Sequence, residues 1–125
     1  MHKKRLLIAD DHPSIRESLR QMIALEEGME VAGEARDGVE VLEKIKNEEW
    51  DLLILDLSMP RKNGFEVLKE LQRDHPNLPV LILSVHPSEQ YEARSLQLGA
   101  RSYIVKDRAP EELVAKINEV LAPHE

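Results

Sequence analysis

Short apolar runs alternate with amphipathic blocks along the whole of this chain, and that rhythm limits its fold more than any single residue does. Residues 6–9 (Leu-Leu-Ile-Ala) are a β-like run that stops at Asp10-Asp11. Pro13 suits a first helical turn. Ile15, Leu19, Met22 and Ile23 then mark an amphipathic helix that Gly28 is expected to end. Met29–Ala35 alternates weakly, as an edge strand does. Asp37-Gly38 turns into a second helix carrying Val41, Leu42 and Ile45. Residues 52–55 and 80–83 are apolar without alternation, as strands covered on both faces are. They run out at Asp56 and Ser84, with a Pro60 loop and a third helix (Phe65, Leu68, Leu71) between them. Ser88 caps a fourth helix running to Gly99, whose apolar positions form no clean stripe. Residues 103–105 form a last strand ending at Lys106. Pro110, followed by Glu111 and Glu112 where the helix dipole favours acids, opens a final helix.

Strict β/α alternation predicts a parallel sheet with helices on both faces, and right-handed crossovers leave few topologies. At 125 residues the chain is one domain, 1–125; a (β/α)8 barrel needs about 250 residues. There is no Cys, so disulfides, thiolate metal sites and a Cys nucleophile are excluded. The longest apolar runs fall far short of the ~20 residues that span a bilayer. The start, Met1-His2-Lys3-Lys4-Arg5, precedes too short an apolar stretch for a signal peptide. A cytoplasmic protein without membrane contact is expected. The net charge of −7 and 3% aromatic content argue against direct nucleic-acid binding by this segment.

Ligands of open parallel sheets bind beyond the carboxyl ends of the strands. Asp10 and Asp11 stand there after strand 1, Asp56 after strand 3, Ser84 after strand 4 and Lys106 after strand 5. If strands 1 and 3 are neighbours, three carboxylates converge. Two such charges 4 Å apart repel by about 4 kcal/mol at an effective dielectric near 20, which a divalent cation would relieve. All-oxygen ligation favours Mg²⁺, with Mn²⁺ as a substitute, over Zn²⁺. Mg²⁺ keeps positions for phosphate oxygens, Lys106 adds a fixed positive charge, and the Ser84 hydroxyl adds a donor.

Those residues make the chain resemble the receiver domain of two-component response regulators. An acidic pair (Asp10, Asp11), the acceptor Asp56 in Leu-Ile-Leu-Asp-Leu-Ser-Met-Pro, Ser84, the aromatic Tyr103 and Lys106 all match. Met59-Pro60-Arg61-Lys62-Asn63-Gly64 is similar to the family's loop. Asp10-Asp11-His12-Pro13 and the stretch from Gly99 to Asp107 most resemble the NarL/FixJ-type subgroup. The resemblance implies a flavodoxin-like (CheY-like) doubly wound sheet of strand order 2-1-3-4-5. It also implies a phosphorylation-controlled signalling switch, which assists its own phosphorylation and dephosphorylation but is not an enzyme on an outside substrate. A sensor histidine kinase would phosphorylate Asp56. Mg²⁺ would be held by Asp11, Asp56 and the Ser58 backbone carbonyl, with Asp10 acting through a bound water. Lys106 and Ser84 would bind the phosphoryl oxygens, and Tyr103 would follow the shift. Homodimerisation on phosphorylation and a C-terminal helix-turn-helix output domain beyond residue 125, regulating transcription, complete the expectation; a stand-alone receiver acting by protein contact is the alternative.

Several positions depart from the family pattern. Asp107 follows Lys106 where Pro is common, and Val85 is larger than the small residue that often follows Ser84. Ser58 and His86 occupy the positions that tune dephosphorylation in the family. Ser58 also weakens the enzyme alternative, a Mg²⁺-dependent aspartyl-phosphate phosphohydrolase, which places a second Asp there. Without a Gly-rich first β–α loop, a nucleotide or flavin site is not expected. His12, beside the acidic pair, reads as a surface turn residue, with a ligand or proton-shuttle role as the alternative. His2, His75 and His124 are scattered without metal spacing, and Lys3-Lys4-Arg5 reads as a solvated start to strand 1. Trp50 and Phe65 are expected to fill the core.

Overall fold

Every apolar run becomes a strand and every amphipathic block a helix in the computed structural model, which describes residues 3–122. His2 and His124 lie outside the described residues. The order is β1 (Lys4–Ala9), α1 (Pro13–Ala24), β2 (Met29–Ala35), α2 (Gly38–Asn47), β3 (Leu52–Asp56), α3 (Gly64–Asp74), β4 (Val80–Ser84), α4 (Glu89–Gln97), β5 (Ser102–Val105) and α5 (Ala109–Leu121). A 3₁₀ turn, Lys106–Arg108, joins β5 to α5. The strands form one parallel sheet in the order β2-β1-β3-β4-β5. The chain therefore reverses its direction of winding between β1 and β3, the crevice in which such sheets bind ligands.

Alternate side chains of the central strands feed two separate cores. Leu6, Ile8, Leu52, Ile54, Leu81 and Leu83 pack with Leu19 and Ile23 of α1 and Leu113 and Ile117 of α5. Leu7, Leu53, Leu55, Val80 and Ile82 face the other way, against Val41 and Ile45 of α2 and Val67, Leu68 and Leu71 of α3. Burial on both faces explains why β3 and β4 read as unbroken apolar runs: all five residues of each are buried. Edge strand β2 is mostly half-exposed, in keeping with its weak alternation.

Local chemistry sets the helix starts. The Asp37 carboxylate accepts the Glu40 N–H at the head of α2. Asn63 and Glu66 form a reciprocal capping box on α3. Ser88 accepts the Tyr91 N–H on α4. Three expectations need correction. First, α1 stops at Ala24 rather than Gly28, because the Leu25 and Glu26 amides turn back onto Ile23 and residues 25–28 form the approach to β2. Second, Trp50 and Phe65 are half-buried at the core's edge, not inside it: the Arg5 guanidinium lies 4.7 Å from the Trp50 ring centre and the Trp50 N–H donates to the Lys44 carbonyl. Third, this removes Arg5 from the solvated start, since it also donates to the Glu49 carbonyl. Among the described residues no peptide bond is cis, Lys106–Asp107 included.

Candidate functional site

The crevice at the carboxyl ends of β1, β3, β4 and β5 collects the residues singled out by the strand-end pattern. Asp10 and Asp56 are 1% and 2% exposed, charges that ordinary packing would not bury without compensation. Lys106, sent back over the sheet by the 3₁₀ turn after β5, places Nζ 2.7 Å from Asp10 Oδ2 and 3.3 Å from Asp56 Oδ2. Lys106 thus holds both carboxylates by its charge. Asp10 Oδ2, Asp11 Oδ1 and Asp56 Oδ2 are buried and receive no hydrogen bond among the described residues. Ligand atoms of Asp10, Asp11, His12 and Asp56 all lie within 4.8 Å of one another.

That arrangement is electrostatically incomplete. One ammonium faces three carboxylates, and the Asp56 carboxyl is held above its usual range, first by burial and then by the charge of Asp10. Lys106 and the Ser58 N–H, which donates to Asp56 Oδ1 at 3.2 Å, pull it back only in part. Hard oxygen donors lacking a proton partner fit a divalent cation of the Mg²⁺ type. Asp10, Asp11, His12 and Asp56 supply the ligand atoms gathered there.

Ser84, 1% exposed at the end of β4, accepts the His86 N–H on its Oγ at 3.1 Å. The His86 carbonyl in turn accepts the Tyr103 hydroxyl at 2.6 Å. Burial lifts the Tyr103 phenol above its usual range, with the Ser84 side chain pulling the other way. A chain of two hydrogen bonds thus joins the crevice to β5 through a single residue. Beside it, Tyr91 meets the rings of Phe65 and His86 edge-on, at 5.7 and 5.2 Å between centres. Val85 is exposed.

Sequence reasoning missed the groups that hold this rim in place. His12 is an exposed turn residue as expected, yet its Nδ1 lies 3.0 Å from Asp10 Oδ1 and 3.1 Å from Asp11 Oδ1. Arg16 donates to the Asp10 carbonyl at 2.6 Å and to Glu34 at 2.9 Å. Arg61, at φ 65°, binds both oxygens of Asp37 and so ties the loop after β3 to the start of α2. No motif announces the Arg16–Glu34 and Arg61–Asp37 pairs, because each joins residues from different elements; the His12 contacts are to its own neighbours in the loop after β1. A groove of about 750 Å³ bordered by Trp50 and Pro76 lies at the opposite end of the sheet and shares no residue with the acid cluster.

A doubly wound five-stranded sheet with an acid cluster and a lysine at its switch point defines the receiver class of signalling domains. Residues 6–118 match the family of response regulator receiver domains, and the chain belongs to that family, whose members partner with histidine kinases. It is 34% identical to YhcZ, a transcriptional regulatory protein of Bacillus subtilis, over 96% of this chain and 60% of that protein. The chain spans about half the length of other curated relatives it matches, such as the DegU of Brevibacillus brevis at 50%. The signal receiver domain of a NarL-type response regulator from Mycobacterium tuberculosis superposes with a TM-score of 0.88 at 32% identity, over 95% of this chain and 96% of that one. A chain of the CheX–CheY complex with BeF₃ and Mg²⁺ from Borrelia burgdorferi gives a TM-score of 0.88 at 30% identity, covering 96% and 90%. No described helix is long and apolar enough to cross a membrane.

Proposed function

We propose that this chain is a phosphoryl-accepting switch, with Asp56 as the acceptor and Mg²⁺ as the ion that makes acceptance feasible. One observation carries the reading: Asp56 is buried within ion-pair reach of Lys106, beside two further carboxylates, with an oxygen that receives no hydrogen bond. Bound Mg²⁺ would supply neutralising charge at the phosphoryl oxygens. Asp11, Asp56 and the Ser58 carbonyl would hold it, and Asp10 would act through a bound water. An Asp56 carboxylate oxygen attacks the phosphorus of a kinase phosphohistidine. The P–N bond breaks, and its electron pair returns to the imidazole nitrogen, which takes a proton from solvent. Lys106 moves from its carboxylate partners to the incoming phosphoryl oxygens, and the Ser84 hydroxyl donates to one of them. Positioning and charge neutralisation are the main demands of such a transfer.

Reorienting the Ser84 hydroxyl removes the acceptor of the His86 N–H, and the His86 carbonyl carries the change to Tyr103 on β5. That path supports a changed surface around α4, β5 and α5 as the output. Ser58 and His86 flank the acceptor's approach and would tune the loss of the phosphoryl group. The activated chain would act from the cytoplasm on transcription through a following helix-turn-helix domain, with self-association as one response. Incubation with acetyl phosphate and Mg²⁺ tests the core of this reading by intact mass. A gain of one phosphoryl group that Asp56→Asn abolishes is the expected result. No gain, or a gain that survives the substitution, overturns it.

A further inference from the structure

We propose that His12 is a nitrogen ligand of the same cation seat, so that the site takes first-row transition ions such as Co²⁺ or Mn²⁺ through an imidazole that Mg²⁺ does not need. This rests on the acid cluster being a divalent-cation seat. Two features point to the ring. His12 is the N-cap of α1, a position whose side chain ordinarily accepts a helical N–H, yet it makes no such bond. Instead the ring sits against the acids, with Nδ1 at 3.0 Å from Asp10 Oδ1 and 3.1 Å from Asp11 Oδ1. Two donors at right angles on an octahedral ion, each about 2.1 Å from it, stand about 3.0 Å apart. The separation of His12 Nδ1 from Asp11 Oδ1, the acid of that pair that would bind the ion directly, has that edge length.

Independent support comes from the floor of the site. Asp56 Oδ2 and Asp10 Oδ2 belong to carboxylates more than nine-tenths buried and receive no hydrogen bond among the described residues. Asp11 Oδ1 is likewise without a donor and lies on the His12 side. The four residues form one potential ligand set. The backbone fixes the root of the ring, since the His12 N–H donates to Asp10 Oδ1 at 2.9 Å and the His12 carbonyl accepts from Ile15 and Arg16. The ring itself is 61% exposed, which leaves it room to turn onto an ion entering from solvent. Imidazole ranks late first-row ions well above Mg²⁺, which prefers hard oxygen.

Calorimetric titration of the wild type and His12→Gln with Co²⁺ and with Mg²⁺ separates the possibilities. Electron spin-echo modulation of the Mn²⁺ form adds a direct reading of a bonded nitrogen. The expected result is Co²⁺ affinity weakened by about tenfold or more in His12→Gln, Mg²⁺ affinity unchanged within about twofold, and a nitrogen coupling that only the wild type shows. Equal Co²⁺ affinity in both proteins, or no nitrogen coupling, overturns the ligand role. A parallel loss of Co²⁺ and Mg²⁺ also overturns it, making His12 a positioning residue for the acids. If Mg²⁺ binds neither protein, it is the cation seat itself that fails, and the proposed function with it.

Discussion

Asp56 is buried where both desolvation and the neighbouring Asp10 oppose its ionisation, and its carboxyl is held above 3.8 in the folded chain. The folded state therefore binds that proton more tightly than the unfolded state. Stability tied to Asp56 rises as pH falls from neutrality through the raised value, and levels off once the unfolded carboxyl is also protonated, below 3.8. Asp56→Asn keeps the shape and deletes the charge. In metal-free buffer at pH 7 it should raise Tm by a few degrees, with the gain shrinking toward pH 4 in thermal melts. A lower Tm at pH 7 would contradict the electrostatic account. Lys106→Met works in the opposite direction. It leaves Asp10 and Asp56 buried without their shared cation and should cost about 3 kcal/mol in urea unfolding, part of which Mg²⁺ restores.

At the scale of elements, the loop after β3 is held from outside the acid cluster. A Cβ on Gly38 would clash with the Lys62 carbonyl oxygen, so α2 and this loop meet backbone to backbone. Arg61 and Asp37 close the same contact. Gly38→Ala should cost about 2 kcal/mol in denaturant unfolding. It should also weaken Mg²⁺ binding, because the loop carries Ser58; unaltered binding would show the loop to be set by β3 alone. The elements themselves were legible in sequence wherever burial left a pattern. Residues 52–55 and 80–83 announced buried strands, and the strand-end residues Asp10, Asp56 and Lys106 do meet in one crevice. The end of α1 was not legible, since Gly28 serves the turn into β2 instead of the helix. Arg16 and the Asp37–Arg61 pair escaped for a different reason: their partners are chosen by packing between elements, which leaves no periodic trace. Trp50 shows the same limit, its indole trapped between Arg5 and the backbone of Gly33, where an added Cβ would clash.

For the whole molecule, a cation that binds only the folded chain must raise its stability. At a concentration of 100 times Kd the gain is about 2.7 kcal/mol. Mg²⁺ titrated into a thermal melt should therefore raise Tm progressively. Asp11→Asn should lose most of that rise while keeping the metal-free Tm within a few degrees. An Asp11→Asn protein that responds to Mg²⁺ like the wild type would remove Asp11 from the ligand set.

The hydrogen bonds from His86 to Ser84 and from Tyr103 to His86 meet on one residue, whose backbone links the crevice to the outer surface. News of the phosphoryl group need travel only through the backbone of a single amino acid. Lengthening the connection by one inserted residue between Ser84 and His86 should leave chemistry at Asp56 intact but silence its effect on Tyr103. An insertion after Pro87 should preserve both. Tyr103 side-chain resonances, followed with and without acetyl phosphate, would tell the two apart.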